Sequence, residues 1–338
     1  MTRTTKPHQG NPGRQRRLLM IAALACGVLG SPAWAQEFKL RFATSVANTQ
    51  EASYKEMEAF AARVKDRSKG RIEMQLFPAE QLGAQKKVNE MISSGANIMN
   101  MTDYGQMGQF VPDAGVLAGP YIFGNMQQAN KLFASPVFKD VADRLEQKGI
   151  KVIMANGLFG NRHMIADKAI RKPDDLKGMT MRVPPSPIMV ETFKAFGARP
   201  TEIPFGELYN ALQSNVANGA EAPFGAIWGS KLQEVRKVIS KTDHQIMFTN
   251  WVVSANFFKG LPPDLQQILM EEGRKSAENL TKATVDQDEQ YANLLRKAGV
   301  QIITDVDIPA FQKASAPVYL SLPGLTPGFV DRARAAMQ

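Results

Sequence analysis

The chain has 338 residues, 44% hydrophobic and 22% charged, with 41 Lys and Arg against 32 Asp and Glu. That length suits two domains, and the ordinary proportions exclude a disordered or fibrous chain. The net charge of +9 is unevenly spread: Arg3, Lys6, Arg14, Arg16 and Arg17 precede any acidic residue. An apolar run from Leu18 to Leu29 follows, then Ser31-Pro32-Ala33-Trp34-Ala35. A basic start, a short apolar run and an Ala-x-Ala end predict a secretory signal peptide over residues 1–35, cleaved after Ala35, and hence a periplasmic protein. The run is too short to span a bilayer comfortably. Removing those five basic residues lowers the net charge from +9 to +4, so no nucleic-acid partner is expected. Cys26, the single cysteine, lies in the leader, which leaves the mature chain without a disulfide or a cysteine metal site.

Beyond the leader, Phe38, Leu40 and Phe42 alternate with basic residues and predict a strand. Tyr54, Met57, Phe60, Ala61 and Val64 recur at helical spacing and stop at Gly70. Ile72, Met74 and Leu76 alternate again, and Pro78 ends that strand. The pattern continues with a helix near Gln85–Ser94, a strand near Ile98–Met101, a helix over Gln127–Gln147 and a strand at Val152–Ala155. Such alternation argues for an α/β fold with mainly parallel sheets. A second series begins near Arg162, after an expected turn at Gly157–Asn161. It holds a strand at Met179–Val183, a helix at Pro187–Phe196, a strand end at Glu202–Ile203 and a helix at Glu207–Asn215. Pro262-Pro263-Asp264 then opens a helical pattern running to Ala298. Unbroken, it would be roughly 55 Å long; it must either brace two lobes or break near Gly273.

Few constellations here carry catalytic chemistry. His163 and His244 lack partners at metal-ligand spacing, so no metal is expected. No nucleophile-elbow, zinc-protease, phosphate-loop or dinucleotide pattern appears, and no cofactor is expected. Two arginines stand out by position. Arg182 ends a buried strand and is followed by Pro184-Pro185; ligands of α/β proteins bind outside the carboxyl ends of strands. A guanidinium there offers a carboxylate two parallel charge-assisted hydrogen bonds. Arg162 sits at the crossover into the second series. Phe205, on a turn between Pro204 and Gly206, either walls a pocket or packs on the helix behind it.

A series of short motifs sets the chain among known proteins. They are Gly70-Arg71-Ile72-Glu73 with Leu76-Phe77-Pro78 and Gln81-Leu82-Gly83; Phe110-Val111-Pro112; Gly119-Pro120-Tyr121-Ile122-Phe123; Asp175-Leu176-Lys177-Gly178 before Met181-Arg182-Val183-Pro184; and Pro204-Phe205-Gly206-Glu207-Leu208-Tyr209 before Ala211-Leu212-Gln213. In this order the chain resembles the DctP-type solute-binding proteins of tripartite ATP-independent periplasmic (TRAP) transporters. The resemblance implies a periplasmic-binding-protein-like fold of two α/β lobes, each a mainly parallel sheet flanked by helices, braced by a long helix. Lobe I is expected over 36–158 plus 249–285, and lobe II over 159–248 plus 286–338. It implies a non-enzymatic carrier that captures a small organic acid and delivers it to membrane permease subunits; the oligomeric state is open, with a monomer as the default.

The same resemblance puts the ligand carboxylate on Arg182, with help from Arg162, and Phe205 in the pocket wall. It places Ser45, Gln85, Asp103 and Tyr104 toward the ligand from lobe I, and Trp251 either at the cleft or in the core. Many members carry Glu-Asn-Pro where this chain has Glu221-Ala222-Pro223; alanine supplies no hydrogen bond, so Ala222 leaves the ligand held differently or makes room for a bulkier one. A periplasmic enzyme acting on an organic acid, or a ligand sensor for a receptor kinase, would use the same clamp.

Overall fold

The computed structural model describes residues 1–5 and 37–338. Met1–Thr5 contain no helix or strand; the rest of the expected leader and its cleavage motif lie outside the described residues. The residues from 37 onward belong to one compact unit.

Among the described residues nine strands form a mixed sheet: β1 (Phe38–Ala43), β2 (Ile72–Phe77), β3 (Ile98–Asp103), β4 (Ile150–Ala166), β5 (Thr180–Val183), β6 (Arg199–Glu202), β7 (Gly219–Ala222), β8 (Val238–Ser254) and β9 (Gln301–Ile303). Their order is β2-β1-β3-β8-β4-β7-β5-β6, with β9 on β8. β1, β2 and β3 are parallel, as are β5, β6 and β7. The two 17-residue strands β4 and β8 join these groups and run antiparallel to each other. One end of the pair lies against β3, the other against β7 and β9. The result is two α/β halves sharing two through-going strands.

The expected turn at Gly157–Asn161 is therefore strand. The glycines serve the crossing itself: the ladder shifts register just before Gly157 and again just before Gly160, whose φ is +132°. Bulges of this kind bend and twist a strand without ending it. β8 is absent from the strands that the residue pattern predicts, although the family resemblance implies a return crossover near Trp251. The helix expected over Gln127–Gln147 is two, Met126–Phe133 and Pro136–Gln147. Ser135 starts the second by accepting from the Phe138 N–H at 3.4 Å, with Pro136 at its first position, where a missing N–H costs nothing.

The long helix, Pro263–Lys297, is unbroken and about 52 Å long at 1.5 Å per residue. It packs along β4 and reaches helices Ala52–Arg67 and Phe224–Gly229, which flank opposite halves. Gly273 is a point of close approach and not a break: a Cβ there would stand 2.2 Å from the Ile153 carbonyl oxygen. Arg63 and Arg67 fasten Ala52–Arg67 to it through Glu272, at 2.5 and 2.9 Å. Beneath that helix, Trp251 packs edge-on to Phe42 and Phe60, each at 5.0 Å between ring centres. No helix among the described residues is long and apolar enough to cross a membrane.

Candidate functional site

The carboxyl ends of five strands converge. Ser45 follows β1, Glu80 follows β2, Asp103 ends β3, Arg182 and Pro184 close β5, and Ala222 ends β7. Together with Phe205 after β6, they line a cavity of about 280 Å³ between the two halves. That is the room of roughly nine waters at ~30 Å³ each, the size of a small metabolite.

Arg182 is 1% exposed, brought there by β5, whose residues are mostly buried. Its Nε donates to the Ile203 carbonyl at 2.8 Å, which fixes the plane of the guanidinium. The buried Nη1 has no partner among the described residues. Phe205 lies 5.7 Å from the guanidinium carbon and covers one face. Burial pushes the Arg182 pKa down to about 10, against the pull of Glu221, so it remains a cation at neutral pH. An unpartnered buried donor is costly unless an acceptor comes to it.

Arg162 lies beside it, 7% exposed, and is already engaged. Its Nε contacts Glu221 Oε2, and its Nη2 donates to Glu221 Oε1 at 2.5 Å and to the Glu221 carbonyl at 3.0 Å. Glu221 is fully buried on β7. Burial pushes its carboxyl pKa up, but Arg162 and His244 outweigh that and hold it at about 2. His244 Nε2 stands 3.4 Å from Glu221 Oε2, and its Nδ1 shares a 2.8 Å hydrogen bond with the Thr242 hydroxyl. The trio orients Arg162 and leaves Arg182 as the wall's guanidinium without a carboxylate of its own.

Seven of the nine residues expected from the sequence line the cavity: Ser45, Gln85, Asp103, Arg162, Arg182, Phe205 and Ala222. Gln85 Nε2 donates to Ser45 Oγ at 3.0 Å and to the Met101 carbonyl at 3.2 Å. Asp103 accepts from the Gln106 N–H at 3.2 Å and caps a short helix. Tyr104 and Trp251 sit elsewhere. Tyr104 turns into the core, its hydroxyl donating to the Ala155 carbonyl at 2.7 Å and its ring against Phe133 and Phe138. Trp251 is fully buried under Phe60. Glu51 and Glu80 also line the cavity, and the sequence reading missed both. Glu80 was open to the same strand-end rule that singled out Arg182. Among the described residues no group of three or more His, Cys, Asp or Glu could hold a metal ion.

Two α/β halves sharing crossed strands and a bracing helix, with a buried guanidinium in the cleft, define a two-lobed solute-binding protein. Residues 42–322 match the DctP family, described as bacterial extracellular solute-binding protein, family 7, and the chain belongs to it. These are ligand-carrying proteins of transporters, not enzymes. The 2,3-diketo-L-gulonate-binding periplasmic protein YiaO of Escherichia coli (strain K12) is 31% identical over 297 residues, 88% of this chain and 89% of that protein. The crystal structure of a TRAP periplasmic solute-binding protein from Ochrobacterium anthropi, with bound L-fuconate, superposes with a TM-score of 0.86 at 34% identity, over 89% of this chain and 100% of that one. Another, from Actinobacillus succinogenes 130z with bound L-galactonate, gives 0.85 at 32% identity, over 88% and 99%.

Proposed function

We propose that this protein captures a six-carbon sugar acid in the periplasm and hands it to the membrane permease of a TRAP transporter. The observation that carries the reading is the buried Arg182 guanidinium with its unpartnered Nη1 in the cavity wall. Arg182 takes the carboxylate, Phe205 covers it, and Arg162, Ser45, Gln85 and Asp103 surround the rest. Fuconate and galactonate, bound by the two structural neighbours, are acids of this size. Lobe I comprises 36–158 with 249–285, and lobe II 159–248 with 286–338. The register shifts at Gly157 and Gly160 support that division, since they lie where β4 passes from one half to the other. The closed form docks on the permease, which releases the ligand by favouring the open form.

Thermal-shift screening of the purified protein against sugar acids, dicarboxylates and neutral sugars tests this. A ligand at a hundred times its Kd stabilises by about 2.7 kcal/mol. Sugar acids should raise the melting temperature of wild type and not of Arg182→Ala. A response to neutral sugars alone, or an undiminished response in the variant, overturns the reading.

A further inference from the structure

The cavity wall holds one guanidinium without a carboxylate partner but four carboxyl groups, Asp103, Glu80, Glu51 and Glu90, of which Glu90 is exposed and paired with Lys87. Asp103 and Glu80 feel the arginine charges; Asp103 is acted on by Arg162 and Glu80 by Arg182. Glu51 feels neither. Burial pushes its pKa up to about 7, opposed only by the Ser53 hydroxyl, which donates to Oε1 at 3.0 Å. It stands where the helix Ala52–Arg67 begins, beside Asn48 and Gly229. Its Oε2 has no hydrogen-bond partner among the described residues. That atom lies beside Gly229, where a Cβ would approach it to 3.0 Å. The glycine leaves that oxygen uncovered, on the wall that Asn48 and Gly229 share. The lysines at the site, Lys86 and Lys87, are exposed, where water and salt screen them.

We propose that Glu51, together with Asp103, restricts the cavity to acids carrying a single carboxylate and a hydroxylated tail. Arg182 takes the one carboxylate. Asp103 accepts from hydroxyls near it, and Glu51 Oε2 accepts from a hydroxyl at the tail. A second carboxylate at that end meets a carboxyl group in a buried wall and finds no cation. Carboxylates accept hydroxyl protons readily but cannot hydrogen-bond each other while both are ionised. This inference rests on the acid-binding reading and narrows it: the dicarboxylates that an arginine clamp alone would admit are excluded.

The test compares two ligands that differ at one end. L-galactonate ends in a hydroxymethyl group, and galactarate carries a carboxylate in its place. Isothermal titration at about pH 8, where Glu51 is mostly ionised, should show wild type preferring galactonate by at least a hundredfold. Glu51→Gln keeps an acceptor and removes the charge, and should narrow that gap at least tenfold, chiefly by admitting galactarate. The wild-type comparison needs no variant to fold. Equal binding of the two acids overturns the inference and leaves the acid-binding reading intact. An unchanged ratio in a folded Glu51→Gln variant removes Glu51 as the cause and overturns it too. Binding of neither acid, nor of any other in the thermal screen, brings down the acid-binding reading and this inference with it.

Discussion

Glu80 and Gly206 meet across the cleft: the backbone N–H of Gly206 donates to Glu80 Oε2 at 3.3 Å. Glu80 follows β2 in one half and Gly206 follows β6 in the other, so the bond exists only while the two are together. Two more contacts act in parallel. Gln109 Nε2 donates to the Pro185 carbonyl at 2.8 Å. Gly105 approaches so near that a Cβ on it would stand 2.4 Å from Ser186 Oγ. These contacts tie the two halves together beside the cavity: Gly206 and Pro185 contribute backbone groups, Glu80 and Gln109 side chains.

Gly206→Ala should loosen that latch. Its Cβ would lie 2.6 Å from Glu80 Oε2, and the Glu80 side chain, flexible and half-buried, would swing away instead of distorting the backbone. A hydrogen bond to a charged group contributes about 1.5–3 kcal/mol when well shielded; partial exposure reduces this, so a three- to tenfold rise in ligand Kd is expected, at ~1.4 kcal/mol per tenfold. The loss should appear in the dissociation rate, because the open form that first meets the ligand is unaffected. Stopped-flow binding separates the two rates; a change confined to association would place the defect in the open state.

Breaking the Arg162–Glu221 pair should cost much more. Glu221→Gln leaves a buried guanidinium without its counter-charge, and removing one partner of a buried ion pair costs about 3–5 kcal/mol. The variant is expected to melt well below wild type and to recover part of the loss when an anionic ligand is added, since the ligand then supplies the missing charge. Calorimetric melting with and without galactonate measures both. An unaltered melting temperature would mean that His244 and the surrounding dipoles already satisfy Arg162.

Two buried carboxyls give stability opposite slopes with pH. Glu221, held near 2 in the fold against an ordinary value of 4.5, stabilises fully above the ordinary value and loses that contribution as pH falls through 4.5 toward 2. Glu51 is raised to about 7. Its penalty is absent below 4.5, grows between 4.5 and 7 as the unfolded chain ionises first, and is constant above. At 1.36 kcal/mol per unit the Glu51 penalty reaches at most about 3 kcal/mol. The unliganded protein is expected to be most stable near pH 5. Glu51→Gln should raise the melting temperature at pH 8 and leave it unchanged at pH 4; an equal effect at both values would assign the change to packing instead of charge.

Arg182 was legible because it obeys one rule: it stands near the carboxyl end of β5, a strand its own pattern reveals. Ser45, Asp103 and Ala222 also stand at strand ends, but they were expected only through the family resemblance. Glu51 was hidden because it belongs to no strand end; it precedes a helix, and only the fold brings it to the cavity. β8 was hidden for another reason. Its sequence mixes buried and half-buried positions without a steady period, because it passes from one half to the other and faces different neighbours along its length. Trp251 shows the consequence. Thr249, two residues earlier on the strand, lines the cavity, while Trp251 already lies beneath Phe60. Periodicity reports which face a residue takes, and the point where one face changes from cavity to core depends on the helix laid over it.

The long helix sets the last expectation. Gly273 lies in the interior of a 35-residue helix, where alanine is intrinsically favoured over glycine by about 1 kcal/mol. On an exposed face the substitution would therefore stabilise. Here the added Cβ would stand 2.2 Å from the Ile153 carbonyl oxygen and 3.0 Å from the Ile153 side chain. Ile153 belongs to β4, the strand that both halves share, so the obstacle is backbone and cannot rotate away. The helix must lift from β4 by more than half an ångström, thinning contacts at Ala277 and Leu280, which are buried on the same helix. Overpacking of this kind costs about 1–3 kcal/mol, and backbone contacts belong at the upper end of that range. Gly273→Ala is expected to destabilise by about 2 kcal/mol net, the propensity gain notwithstanding, and to weaken ligand binding as well, because the brace then holds β4 less firmly on both sides of Gly157. Chemical denaturation and ligand titration of the same variant decide between the alternatives. Lower stability with unchanged affinity would make the long helix a support for one half only, and loss of both would make it the element that couples them.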